Sequence, residues 1–214
     1  MIELLNVFGD DSMICNCARV SYNKEAANYT EAQNGKLIKY LVEHKHTSVF
    51  RHPQLQFRIT CPIYVGRQLE KHQVGMSLNS ISGRYVDFSD SYTLIDQFRY
   101  QSQDSKQGSA GNLHDIDNKQ AQVIQHCVVE FAKKAYQDLL ELGVSKEQAR
   151  TVLPLSLNTT FIWTGSLLAF IHLFNLRLKP DAQQETREYV GEMLELVKRI
   201  EGDPFKHTLE AFKL

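Results

Sequence analysis

The chain has 214 residues, 24 Lys plus Arg against 25 Asp plus Glu, and 43% hydrophobic residues. That length favours one domain, 1–214, with a core that needs no staples, and the balanced charge argues against a strongly basic nucleic-acid binder. No apolar run approaches the roughly 18–20 residues of a membrane span. Neither nucleic acid nor membrane is therefore expected as a partner. The N-terminal stretch Met1–Asn6 lacks a basic segment followed by a long apolar one, so no signal peptide is expected. Cysteines at 15, 17, 61 and 127 are too sparse for a disulfide framework, which points to a reducing, cytoplasmic setting.

Residues 2–8 read as a strand. Gly9 to Ser12 read as a turn with a helix cap, and the helix is expected to run through Ala18. The polar stretch 23–34 reads mostly as loop, followed by a short helix from Lys36 to Glu43. Gln54 to Thr60 alternates polar and apolar, the pattern of a half-buried antiparallel strand. Pro62 suits a first helical turn, giving a helix over 62–73. Gln101 to Asp117 is poor in apolar residues and reads as a surface loop.

From there on the chain is mainly helical. Ile124, Val128, Phe131, Ala135, Leu139 and Leu142 recur at steps of three and four, which predicts one apolar, inward face. Gly143 ends that helix and Ser145 caps the next. Leu153 to Thr164 is expected to be extended, Leu167 to Phe174 a buried helix, and Tyr189 to Ile200 an amphipathic helix. The fold class is α+β: an antiparallel sheet with packed helices and a helix-rich C-terminal half.

Phosphate loops of the Gly-x-x-x-x-Gly-Lys type, dinucleotide fingerprints and nucleophile elbows are absent from the sequence. Three other places carry suitable chemistry. On a helix over 62–73, Arg67 and Lys71 are four apart, as are Gln68 and His72, so cations, an amide and an imidazole share one side; a solvated face is the alternative. Ser82-Gly83-Arg84-Tyr85 offers turn amides and a guanidinium to an anion, or is an ordinary turn. Arg150 closes a short helix, while His172, Asn175 and Arg177 gather at the end of the apolar one, either as a ligand site or as a structural network. His44, His46 and His52 lack a completing carboxylate pair, so no metal site is expected.

In order along the chain, Ala18-Arg19-Val20-Ser21, His46 to His52, Pro62 to Gln68, Lys71-His72-Gln73, Ser82-Gly83-Arg84-Tyr85, Ala149 to Pro154 and Asn175-Leu176-Arg177 together resemble the flavin-dependent thymidylate synthases. The family's Arg-His-Arg signature is Lys71-His72-Gln73 here, with one extra residue before Ser82. Ser166 and His172 stand where the family usually shows asparagines.

The resemblance implies methylation of dUMP to dTMP, with methylenetetrahydrofolate as carbon donor and FAD relaying hydride from NADPH. It implies a homotetramer with active sites at subunit interfaces. Gln68, Lys71, Ser80, Ile81, Ser82, Gly83, Arg84, Arg150 and Arg177 would then line the dUMP site, Arg150 reaching in from a neighbouring subunit. Ser48, Lys71, His72, Gln73, Ser80, Ser166 and His172 would face the FAD. Arg177 and Ser82 are the catalytic candidates. The alternative is a non-catalytic flavin- or nucleotide-binding relative.

Overall fold

The computed structural model describes residues 1–86, 90–103 and 108–214. It is an α+β fold with an antiparallel sheet and eight α-helices among the described residues. Two compact units are present: Met1–Ile59 with Glu70–Asn79 and Ile162–Leu214, and Thr60–Leu69 with Ser80–Phe161.

The first unit holds β1 (Ile2–Phe8), α1 (Asp11–Arg19), α2 (Glu31–Glu43), most of β2 (Gln54–Pro62), most of β3 (Met76–Ser80), the end of β6 (Asn158–Ser166), α6 (Leu167–Arg177), α7 (Gln184–Lys198) and α8 (Lys206–Phe212). Its strands run in the order β1-β2-β6-β3, and β1 lies antiparallel to β2, with Ile2 opposite Ile59 and Phe8 opposite Gln54. The alternation in β2 buries Leu55, Phe57 and Ile59, as period-2 patterning requires. Phe57 and Trp163 meet Phe170 edge-on at 5.1 and 5.5 Å between centroids, a favoured arrangement of aromatic quadrupoles. The face of α7 formed by Val190, Met193, Leu194 and Val197 is buried, as its spacing predicts.

Several boundaries differ from expectation. Asp10 caps α1 by accepting the Met13 amide at 2.7 Å. The second helix starts at Glu31, five residues early, because Thr30 and Gln33 form a reciprocal capping box. The final helix, α8, carries too few apolar residues to be recognised by period. Asp11 anchors its start, accepting the His207 amide at 2.8 Å and the Thr208 hydroxyl at 2.5 Å. Cys15 is buried, and burial pushes its thiol up to about 11, so it packs as a small hydrophobe and is no thiolate.

The second unit holds α3 (Ile63–Leu69), β4 (Arg99–Gln101), β5 (Ser109–Asn112), α4 (Asp115–Glu141) and α5 (Lys146–Ala149). Pro62 ends β2 instead of opening the helix, and α3 stops at Leu69, not at Gln73. The expected surface loop over 101–117 is largely a hairpin, β4 pairing antiparallel with β5, followed by the start of α4; residues 104–107 of that stretch lie outside the described residues. The long helix α4 forms, but its inward face is not the expected one. Asn118 accepts the Phe98 amide at 2.8 Å and donates to the Asp96 carbonyl at 3.0 Å, and Gln125 accepts the Ile95 amide at 2.9 Å. Satisfying that backbone draws the row Asn118, Val129, Ala132 and Tyr136 inward, and leaves Ile124, Val128 and Phe131 exposed.

Candidate active site

In the first unit the chemistry gathers on the segment between α3 and β3. Gln73 accepts the Met76 amide at 3.2 Å, closing a turn whose third residue, Gly75, has φ +75°. That left-handed backbone suits glycine. The Gly75 carbonyl accepts the Ser166 amide at 3.1 Å. A side chain on Gly165 would come within 2.9 Å of Met76 Cγ and 3.0 Å of the Gly75 carbonyl, so this strand and turn approach as closely as glycine permits.

The docked turn presents His72 to α6. Arg177 donates from Nε to His72 Nε2 at 3.0 Å. The acceptor role requires a neutral ring with its proton on Nδ1. Burial, and secondarily the Arg177 charge, hold the His72 pKa below the ordinary histidine value, which favours that neutral form. Beside it, Glu70, His72, Gln73, Met76, Leu78 and Trp163 line a cleft of about 380 Å³. Met76 and Leu78 are two apart on β3 and so share a face. Met76, Leu78 and Trp163 were not anticipated as site residues; the period-2 spacing of the first two was their only sequence signal.

An apolar wall of Met76, Leu78 and Trp163, with carboxylate, imidazole and amide groups from Glu70, His72 and Gln73, suits a flat heterocycle with polar edges, and the volume lies in the range of ligand pockets, about 300–1,000 Å³. On that chemistry the cleft fits the ring of a flavin. Of the other residues assigned to the flavin, Ser48, Lys71 and His172 are exposed. Ser166 is buried, and its hydroxyl accepts the Ala169 amide at 3.3 Å as the cap of α6. The expected polar trio at the end of α6 is not a buried network: His172 and Asn175 face solvent, and only Arg177 is half-buried.

The shorter α3 corrects a second expectation. Lys71 and His72 lie beyond its last residue, Leu69, so they do not share a helical side with Arg67 and Gln68. The four residues lost at that end remove the pairing, because helical adjacency needs both partners within the helix.

In the second unit, Ile81 donates its amide to Thr160 at 2.8 Å, fixing the start of the Ser82 turn. Three of the turn amides face inward. Arg84 donates its amide to Ser82 Oγ at 3.3 Å, and the Tyr85 and Val86 amides go to the Ser82 carbonyl at 3.0 and 3.1 Å. These three bonds close the turn on Ser82, as in a serine-headed turn, and the Arg84 side chain is exposed beside it. Ser80 and Arg84 are exposed, Gln68, Ile81 and Ser82 half-buried, and Gly83 buried. The Arg84 guanidinium carbon lies 5.3 Å from the Tyr85 ring centroid. Arg150, exposed at the end of α5, donates from Nε to the Glu147 carbonyl at 3.3 Å. Among the described residues, no group of three His, Cys, Asp or Glu side chains is placed to hold a metal ion.

Residues 3–201 match the model of the thymidylate synthase complementing protein family, a span that includes residues of both units. The chain is 40% identical over 197 residues to a flavin-dependent thymidylate synthase of Thermus thermophilus, covering 92% of this chain and 71% of the relative. It is 37% identical over 198 residues to one of Kosmotoga olearia, covering 92% and 84%. Among solved structures it resembles PolB of Streptomyces cacaoi, a UMP/dUMP methylase bound with 5-Br dUMP, with a TM-score of 0.87, 27% identity, and coverage of 100% of this chain and 94% of that one. The chain therefore belongs to the thymidylate synthase complementing protein family, that of the flavin-dependent thymidylate synthases.

Proposed function

We propose that the chain is a cytoplasmic methyltransferase, its two units acting as one domain, that converts dUMP to dTMP with methylenetetrahydrofolate as carbon donor, FAD as resident flavin and NADPH as reductant. The observation that carries the reading is Arg177: a guanidinium at the end of a buried helix, held by an acceptor nitrogen on the rim of a cleft with both polar and apolar walls. The name of the Thermus relative and the description of PolB as a UMP/dUMP methylase support the same substrate class. No helix among the described residues is long and apolar enough to cross a membrane.

When bound, the flavin supplies the hydride relay between NADPH and the one-carbon unit. His72 and Gln73 on the cleft rim, with Met76, Leu78 and Trp163 on its wall, would hold it. Ser48, Lys71, Ser80 and His172 are the exposed contacts that the family pattern adds, and Ser166 acts as the cap that supports α6. The nucleotide's phosphate is a dianion. Arg84 and Arg150 give it charge-assisted hydrogen bonds, and Gln68, Lys71, Ser80, Ile81, Ser82 and Gly83 complete the walls. Uracil must gain electron density at C5 before it accepts the carbon unit. Arg177, set against the ring oxygens or N3, stabilises that negative charge as it develops.

The assembly is a homotetramer in which Arg150 serves a neighbouring subunit's site. The exposed apolar row on α4 supports an interface there: Ile116, Ile124 and Phe131 are 74%, 65% and 77% exposed, more apolar surface than a solvated helix carries. The test is spectroscopic. Purified protein mixed with FAD becomes yellow, bleaches anaerobically with NADPH and changes its flavin spectrum on addition of dUMP. A colourless protein that takes up no FAD overturns the reading.

A further inference from the structure

We infer that His72 is a positioning residue for Arg177: by accepting its Nε–H it sets the plane of the guanidinium that meets the pyrimidine. The inference rests on the reading of Arg177 given above.

A guanidinium is planar, so one bond at Nε together with the side-chain stem fixes the direction of its outer, two-nitrogen edge. That edge makes bidentate contacts to planar acceptors, and the bond to His72 does not consume it. Arg177 is the last residue of α6, and a side chain already ordered in the free protein loses less entropy when the ligand arrives. His72 is itself held. Its turn is closed by the Gln73–Met76 bond and tied by the Gly75 carbonyl to Ser166, at the N-terminal end of the helix that ends in Arg177. Turn and arginine are thus referred to the same helix. The family signature places this histidine among flavin contacts; here its Nε2 is engaged by the arginine.

The experiment compares His72→Ala, His72→Gln and Arg177→Lys in the FAD-loaded enzyme, measuring bound FAD, dUMP affinity by titration calorimetry, and kcat and KM. A glutamine amide oxygen reaches the place of Nε2 and accepts the same N–H. We expect His72→Ala to bind FAD more weakly and, at saturating FAD, to lose dUMP affinity by roughly ten- to hundredfold, the range for a hydrogen bond to a charged group. His72→Gln should recover most of it, and KM for dUMP should move more than kcat. In an Arg177→Lys background, which has no Nε–H, His72→Ala should cause no further loss of affinity.

Three results overturn the inference: unchanged dUMP affinity in His72→Ala, loss of FAD as the only defect, or a His72→Gln variant no better than His72→Ala. Full dTMP formation by Arg177→Ala instead strikes the role of Arg177 itself. If Arg177→Ala is inactive while His72→Ala is normal, only the positioning falls.

Discussion

The Gly75 turn and the Ser82 turn are both short, polar connections, yet they present chemistry differently. The first is tied by long-range bonds: Gly75 to Ser166, and His72 to Arg177, 105 residues away in sequence. The second closes on itself, with the amides of Arg84, Tyr85 and Val86 all turned back to Ser82, and carries an exposed arginine. A group that must meet developing charge benefits from an orientation set in advance. A group that captures a phosphate needs mainly charge and reach. On the proposed function, the two turns correspond to those two demands.

The largest effect expected on this contrast is from Arg177→Ala. It should lower dTMP formation by at least about a hundredfold, the scale seen when an oriented charge-stabilising donor is lost, while the thermal transition stays cooperative. Near-normal turnover would remove Arg177 from the mechanism. Next is Gly165→Ala, whose new methyl meets Met76 and the Gly75 carbonyl. Overpacking against backbone costs about 1–3 kcal/mol, read as a lower melting temperature together with weaker FAD retention, since Met76 lines the cleft. An unchanged melting temperature would show that the turn yields freely.

How much of this was legible in sequence differs between the same regions. Local signals were readable: the alternation of Gln54–Thr60, the apolar run of α6 and the period of α7 all became elements. The capping box at Thr30 and Gln33 was present in the residues but obscured by the polar stretch around it. The site rests on contacts that no local pattern encodes. Nothing in Lys71-His72-Gln73 signals that α3 ends at Leu69, and nothing near His72 indicates Arg177. On α4, periodicity marked an apolar row correctly and misjudged its direction, because the bonds from Asn118 and Gln125 to the 95–98 backbone decide which face turns inward. The signature positions were found through ordered family blocks, not through chemistry visible at each residue.

A smaller effect concerns pH. The folded chain holds the His72 pKa below its usual value, through burial first and Arg177 second. Glu70 shares its cleft wall and Lys71 precedes it in the chain. The unfolded chain, with a histidine pKa of about 6.5, therefore binds more protons in the interval between the two values. His72's contribution is in full effect above the unfolded value and is lost as pH falls from there through the folded one. Melting temperature should drop more steeply on acidification in the wild type than in His72→Gln; parallel curves would show that His72 does not titrate in this way.

The smallest effect is at the self-closed turn. Ser82→Ala should weaken dUMP binding by about 0.5–1.5 kcal/mol, one neutral hydrogen bond, without stopping the chemistry. Unchanged affinity would exclude the hydroxyl from the nucleotide site.

Transfer of an isotopically labelled methylene carbon to dUMP, followed by mass spectrometry of the nucleotide, tests the central claim most directly. The wild-type protein with FAD, NADPH and methylenetetrahydrofolate should yield labelled dTMP, and Arg177→Ala should yield almost none. A wild-type protein that binds FAD and dUMP but leaves the nucleotide unlabelled would contradict the account.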